Sequence, residues 1–205
     1  GGVIEALTAS TVEINNTAIT GGTLQTAGTG IIQLQDGALL NSVTNTGFVN
    51  VANNQNALLQ GTITNNGTLK LSSTGGGTDI RIVGAVTLAG SGTLTLGGNS
   101  NNRVFGVETT PTANVLINSA GHTIQGGGQL GINFIGLDNQ GLITANVNGS
   151  TLSIDLRDDN PVRANSGTLR AENGGVLRIL SSDSITNAGG VIEALTASTV
   201  EINNT

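Results

Sequence analysis

Apolar and polar residues alternate over short stretches along the whole chain. Leu152, Ile154 and Leu156, for example, are separated by polar or charged residues. Side chains two residues apart in a β-strand lie on the same side of it. The apolar set is therefore predicted to face an interior and the charged set to face solvent. Further stretches of this kind are 12–14, 32–34 and 169–171.

A motif of glycine, any residue and an aliphatic residue recurs among these stretches. Its first residue, which we term the anchor, is Gly2, Gly22, Gly47, Gly67, Gly92, His122, Gly141, Gly167 or Gly190. The anchors recur at intervals between 19 and 30, and the last lies 188 positions after the first (190 − 2). Such a repeat in strand-forming sequence is typical of a solenoid. The predicted fold is all-β: a right-handed parallel β-helix (β-solenoid) with eight coils per 188-residue unit.

This motif also predicts how the coils stack. Each anchor should begin a strand, and the aliphatic residues two positions later, among them Ile4, Leu24, Val49 and Leu69, should form one buried column. Asparagine often precedes an anchor, a position that suits left-handed corners and ladders of stacked amides. These asparagines are Asn45, Asn65, Asn66 and Asn165.

The chain also contains a much longer repeat. Residues 1–17 read GGVIEALTASTVEINNT, and residues 189–205 are identical, at an offset of 188 (189 − 1). This identity predicts tandem units, with residues 1–188 as one complete unit and residues 189–205 as the start of the next. Residue 189 is then expected to take the structural place of residue 1. At about 4.8 Å per coil, eight coils would advance about 38 Å.

Composition limits the alternatives. Aromatic residues make up 1% of the chain, and Trp, Tyr, Met and Cys are absent, so the predicted core is thin and aliphatic, without disulfides or thiolate metal sites. A hydrophobic content of 37% with only 10% charged residues argues against disorder. The net charge of −6, without a basic cluster, disfavours nucleic-acid binding. No apolar stretch is long enough to predict a membrane span.

Two segments resemble a known class of repeats. Residues 165–175 (NSGTLRAENGG) and 121–128 (GHTIQGGG) are similar to repeats of bacterial surface β-helix proteins, the autotransporter passengers and filamentous-haemagglutinin-like adhesins. The resemblance implies the same scaffold, secretion by a Gram-negative-type cell and an extracellular or cell-surface location. It implies no catalytic residue, because the matched motif contains none.

Few residues are candidates for chemistry. His122 is the single histidine, and a structural role at a corner is favoured over metal binding or base catalysis. Four acidic residues could form a patch for calcium or for glycosidic-bond chemistry. They are Asp155, Asp158, Asp159 and Glu172. Arg157 and Arg163 lie among them, so a solvated charged face is favoured. We assign no catalytic, cofactor or metal-binding residue.

Three stretches interrupt the coil spacing and are expected to protrude: 73–79, 97–114 (which includes Pro111) and 157–163. Binding in repeat scaffolds is often carried by such segments. The candidate contact residues in these stretches are Asp79, Arg103, Phe105, Asp158 and Asp159. Neutral variation in length is the alternative interpretation.

The favoured function is a structural extracellular fibre or stalk, whose partners are further copies of the repeat, end to end or also in lateral bundles. One alternative is an adhesin that binds a glycan or cell-surface ligand through its protruding segments. A polysaccharide-active enzyme is less favoured, because such enzymes usually stack sugars on aromatic residues, and this chain has three Phe and no Trp or Tyr.

Overall fold

The computed structural model describes residues 1–108, 113–180 and 185–203. The fold is all-β, with parallel strands stacked as a β-solenoid of about eight turns. In chain order the strands are β1 (Val3–Ala6), β2 (Thr11–Asn15), β3 (Ala18–Thr20), β4 (Thr23–Thr26), β5 (Ile31–Gln35), β6 (Ala38–Asn41), β7 (Thr44–Asn45), β8 (Phe48–Ala52), β9 (Asn56–Asn65), β10 (Thr68–Ser72), β11 (Thr78–Ala89), β12 (Thr93–Leu96), β13 (Asn102–Gly106), β14 (Val115–Asn118), β15 (Thr123–Gly126), β16 (Gly128–Gly131), β17 (Gly136–Asn139), β18 (Leu142–Ala145), β19 (Thr151–Asp155), β20 (Arg163–Asn165), β21 (Thr168–Ala171), β22 (Val176–Leu180), β23 (Val191–Ala194) and β24 (Thr199–Asn203).

The strands form three faces around a common core. Face 1 is the nine-stranded sheet, β2-β5-β8-β10-β12-β15-β18-β21-β23. The second sheet covers two faces, because β9 and β11 bend and pair with different strands in their two halves. Face 2 comprises β3, β6, the first halves of β9 and β11, β13, β16, β19, β22 and β24; face 3 comprises β1, β4, β7, the second halves of β9 and β11, β14, β17 and β20.

The alternation of the sequence is confirmed in the core. On face 1, residues that are paired from turn to turn form one inward column: Val12, Ile32, Val49, Leu69, Leu94, Ile124, Ile143, Leu169 and Ile192. The column is buried between Ile32 and Leu169. Every anchor is followed directly by a strand, as predicted.

The prediction of a single column is wrong for the first two anchors. Ile4 and Leu24 pair with each other on β1 and β4, which belong to face 3 rather than face 1. The column that contains Val49 instead continues downward through Ile32. The motif misled because a glycine corner followed by an inward aliphatic residue can open any of the three faces.

The chain has about eight turns, as predicted, but the long repeat is not a whole number of turns. On face 1, eight successive pairings lead from Val12 to Ile192, an offset of 180 residues (192 − 12), and the step from Ile32 to Val49 takes only 17 residues (49 − 32). A 188-residue unit therefore covers eight full turns and 8 further residues (188 − 180). These residues advance the chain by one more face. As a result β23 lies on face 1, whereas the identical β1 lies on face 3, and residue 189 does not take the place of residue 1.

Close approach of backbones explains the glycine anchors. A Cβ atom on Gly67 would collide with the carbonyl oxygen of Gly47 one turn below, and a Cβ on Gly92 would collide with that of Gly67. Real Cβ atoms do not approach backbone oxygens so closely, so these two corners of face 1 require glycine.

The predicted protruding stretches are only partly connections between strands. The stretch 97–114 is divided by β13, so Arg103 and Phe105 lie on a strand; Pro111 lies outside the described residues. Likewise Asp79 lies on β11, and Arg163 begins β20. These residues continue the parallel pairing of face 2 or face 3, which a comparison of coil lengths alone does not reveal.

Candidate functional site

Three of the five candidate contact residues lie together on the outer side of face 2. Asp79 and Arg103 are opposite each other in adjacent strands. The guanidinium of Arg103 donates from Nε to Asp79 Oδ1 at 2.7 Å and from Nη2 to Oδ2 at 2.8 Å. Arg81 Nη2 lies 3.7 Å from the same carboxylate. Because bidentate arginine–carboxylate pairs are strong and directional, this contact fixes two neighbouring turns to each other.

Phe105 is enclosed by this cluster. Its ring lies 5.4 Å from the guanidinium carbon of Arg81 and 5.5 Å from that of Arg103, distances typical of cation–π contacts. Phe134 packs edge-on against it, with ring centroids 6.4 Å apart. Phe105 is only 8% exposed, so its ring is not free to stack on a sugar.

A shallow groove of about 480 Å³ runs beside the cluster. It is lined by Leu58, Arg81, Val83, Phe105, Gly106, Val107 and Glu108. The side chain of Arg81 is 44% exposed, and the exposed Glu108 adds a carboxylate to the lining. The groove therefore offers apolar contacts together with one accessible donor group and one accessible acceptor group.

Asp158 and Asp159 form a separate cluster at the corner between faces 2 and 3. Arg157 Nη2 donates to Asp159 Oδ2 at 2.9 Å, and Arg163 Nη1 donates to the backbone oxygen of Asp158 at 2.8 Å. Burial, and then the charge of Asp158, raise the pKa of Asp155. Over residues 1–108, 113–180 and 185–203, no group of three or more His, Cys, Asp or Glu side chains is placed to hold a metal ion.

Glu172 does not join these aspartates. It lies at the corner between faces 1 and 2, where its Oε1 accepts a hydrogen bond from Thr144 Oγ1 at 2.9 Å and its Oε2 lies 3.8 Å from Arg170 Nη1. The four acidic residues that the sequence suggested as one patch are thus divided between two corners, with basic residues beside them.

A ladder of side-chain amides runs inside the solenoid, along the corner between faces 3 and 1. The hydrogen bonds connect Asn45 Nδ2 to Asn65 Oδ1 (2.8 Å), Asn65 Nδ2 to His122 Nε2 (3.0 Å), His122 Nδ1 to Asn118 Oδ1 (2.8 Å), Asn118 Nδ2 to Asn139 Oδ1 (2.8 Å), Asn139 Nδ2 to Asn165 Oδ1 (2.7 Å) and Asn165 Nδ2 to Asn187 Oδ1 (2.6 Å). We term this set the amide ladder. Each member satisfies polar groups that burial would otherwise leave unpaired.

His122 replaces a missing member of the amide ladder. Ala89 pairs with Thr64 in the turn below. The next residue, Gly90, therefore lies above Asn65, where the ladder would otherwise have its next asparagine. The imidazole is fully buried and spans this gap. Burial lowers the pKa of His122 to about 4, so the ring is neutral near pH 7, accepting at Nε2 and donating from Nδ1. These contacts support the structural interpretation of His122.

The ladder prediction is confirmed for Asn45, Asn65 and Asn165, but the predicted left-handed backbone is wrong for all four asparagines named in the sequence. None of them has a positive φ. The three ladder members end strands β7, β9 and β20, and an extended backbone directs the amide inward. Asn66 lies outside the ladder, where its Oδ1 accepts from the Ser91 amide at 3.2 Å.

Two further ion pairs were missed by sequence reasoning. Arg170 Nε lies 2.8 Å from Glu193 Oε1, and Arg178 Nε lies 2.5 Å from Glu201 Oε2. Both glutamates belong to the repeated segment, so their identity was visible in the sequence. Their partners were not, because the pairing depends on which face the repeated segment enters.

Comparison with known proteins gives no relative: no family model matches the chain, and no curated protein or solved structure matches it significantly. In the part of the chain that the structure describes, no helix is long and apolar enough to cross a membrane.

Proposed function

We propose that the chain is part of a rod of tandem β-solenoid units, with a structural role as an extracellular fibre or stalk. One observation carries the proposal: the repeated segment at 189–203 stacks on β21 and β22 through nine registered residue pairs, four on face 1 and five on face 2. The last turns of one unit therefore act as the template for the first strands of the next. Lateral bundling and a bacterial surface location remain part of the proposal through the resemblance to surface β-helix repeats.

The assembly makes a prediction for Ile14 and Ile202, which occupy the same position of the repeat. Ile14 on β2, with β5 stacked above it, is 4% exposed. Its counterpart Ile202 on β24 points into the same kind of core and is 66% exposed. A further turn stacked on β24 would bury Ile202 as β5 buries Ile14, and burial of such a side chain stabilises by about 1.5–3 kcal/mol.

The length of single particles tests the proposal. Chains of one, two and three consecutive 188-residue units should appear in electron micrographs as straight, unbranched rods of constant width, lengthening by about 40 Å per added unit at the usual strand spacing. Compact particles whose length does not increase with unit number would contradict it. Antibody labelling of intact source cells tests the surface location separately.

A second candidate function is the binding of a glycan or other surface ligand, favoured by the groove beside Arg81. Arg81→Ala should then abolish binding on a glycan array, whereas Lys70→Ala on face 1 should not. Equal binding by both variants would contradict a role for the groove.

A further inference from the structure

The repeated segment carries two glutamates at each end of the chain, and those at the upper end have basic partners. Glu193 on β23 is opposite Arg170 on β21, and Glu201 on β24 is opposite Arg178 on β22. The distances of 2.8 and 2.5 Å are those of direct ion pairs. A hydrogen bond to Glu201, and then its charge, raise the pKa of Arg178.

The matching glutamates at the lower end are not paired in this way. Glu5 on β1 and Glu13 on β2 are exposed and lie beneath Gln25 and Gln33. Neither has a basic partner within residues 1–108, 113–180 and 185–203. The two glutamates of the repeated segment are thus paired with arginine where they lie above the last turns of the preceding unit.

We infer that in the tandem array Glu5 and Glu13 of each unit lie over Arg170 and Arg178 of the unit before it, and that each unit is rotated by one face, a third of a turn, relative to that unit. The partner surface is the upper edge of β21 and β22, and the occupant is the 3–15 segment of the next unit. The inference rests on the proposed tandem rod.

The ion pairs select one register for this junction. A slip of one residue would turn the apolar residues of the incoming strand outward. A slip of two would keep them inward but would place Glu193 opposite Thr168 or near Glu172, and Glu201 opposite Val176 or Leu180. Exposed ion pairs contribute little to stability, but they penalise the wrong registers, in which like charges meet or a carboxylate faces an apolar side chain.

The rotation follows from the length of the turns. Eight turns on face 1 correspond to an offset of 180 residues (192 − 12), so each 188-residue unit ends one face beyond its start. Any surface feature, such as the groove beside Arg81, would recur about 40 Å along the axis and a third of a turn around it, and would return to the same side after three units, about 120 Å, by the strand spacing.

The chain already contains one such junction, and its lack of cysteine makes disulfide trapping clean. Arg170→Cys with Glu193→Cys should crosslink rapidly under mild oxidation, because residues in register on parallel strands are about 4.8 Å apart, within disulfide range. Thr168→Cys with Glu193→Cys reports a two-residue slip, and Ser166→Cys with Glu193→Cys reports a unit of eight turns without rotation. Without the rotation, Glu193 would lie directly above Ser166.

Preferential crosslinking of the 170/193 pair, at least tenfold faster than either control, is expected. Faster crosslinking of the 168/193 pair would overturn the register, and faster crosslinking of the 166/193 pair would overturn the rotation. This readout concerns one chain and is independent of whether units form long rods. In three-unit chains, a label on Thr8→Cys of every unit should appear on a different side of the rod at each step; labels on one side only would overturn the rotation even if straight rods form.

Discussion

The corner between faces 2 and 3 differs between the lower and upper turns. In two of the lower turns, β9 and β11 run around this corner without interruption and bend at Gly61 and Gly84, both with φ of +67°. In the two turns below them, β3 and β4, and likewise β6 and β7, are separated by two residues. In the upper turns the two faces are carried by separate strands, with connections such as 132–135 and 156–162 between them. Glycine adopts a positive φ at little cost, which allows the tight bend.

The interior is the same in both regions. Ile63 and Leu88 in the lower turns, and Leu116 and Leu137 in the upper turns, are all at most 1% exposed. Stacking of turns therefore depends on the inward residues, while the corner is free to vary in length. A buried asparagine holds the upper corner to the lower one: Asn114 Nδ2 donates to the Val107 oxygen at 2.7 Å and its Oδ1 accepts from the Gly84 amide at 3.0 Å.

The largest expected effect tests whether the two interiors are equivalent. Ile63→Asp in the lower region and Leu137→Asp in the upper region should each lower the free energy of unfolding by at least about 4 kcal/mol, because an unpaired carboxylate would enter a thin apolar core. Thermal unfolding followed by circular dichroism measures this. The exposed control Thr62→Asp should stay within about 0.5 kcal/mol of wild type. A large effect in one region only would show that the interiors differ.

The next effect concerns the junction of the two regions, where His122 continues the amide ladder. Its pKa is about 4 in the folded protein and 6.5 in the unfolded chain, so the unfolded state binds the proton more readily below pH 6.5. Stability is full above pH 6.5 and decreases as the pH falls towards 4, by about 3 kcal/mol in total for this group. His122→Gln should remove that part of the pH dependence in urea titrations. An unchanged dependence would mean that His122 titrates normally.

Insertions distinguish the two corners directly. Six Gly and Ser residues placed between Gln60 and Gly61 should cost about 2 kcal/mol or more, because Gln60 pairs with the strands above and below it and Gly61 with the strand above. The same insertion between Asp158 and Asp159 should cost only about 0.6 kcal/mol, the entropy of a longer loop. Equal costs, measured by urea unfolding, would mean that the corners do not differ in this respect.

The smallest effect is expected on the surface of face 1. Arg170→Gln removes the partly exposed ion pairs with Glu193 and Glu172 and should lower stability by less than about 1 kcal/mol. Leu169→Asp, one residue away and inward, serves as the matched comparison and should be severely destabilised. A similar loss for both variants would reverse the assignment of inner and outer positions.

The local alternation of apolar and polar residues was sufficient to predict the strands, but it did not predict the face of the solenoid to which each strand belongs. Alternation around Leu152 and Ile154 identified inward residues, because strand geometry alone decides it. Face assignment at Gly2 and Gly22 failed, because a corner glycine precedes all three faces. The contact of Asp79 with Arg103 depends on strands 24 residues apart coming into register, and turns of unequal length conceal such spacing.

The role of His122 was even less visible. It depends on two features: Gly90, one turn below, has no side chain to continue the ladder, and Asn118 lies within hydrogen-bond distance of the imidazole. Both features follow from the register of strands that are far apart in the sequence. The sequence showed a histidine in a glycine position. Its position between the amides of Asn65 and Asn118 could be recognised only from the three-dimensional register of the turns.

The amide ladder gives the solenoid an internal polarity. At every step from Asn45 to Asn187 the lower side chain donates and the upper one accepts, with the neutral imidazole of His122 preserving the sense. Aligned amide dipoles polarise one another, and the two ends of the column are chemically unlike: one presents carbonyl oxygen and the other N–H. Two columns joined head to head would bring donor against donor. A unit that continues the column must therefore stack in the same orientation as the unit below it, independently of any charge on the surface.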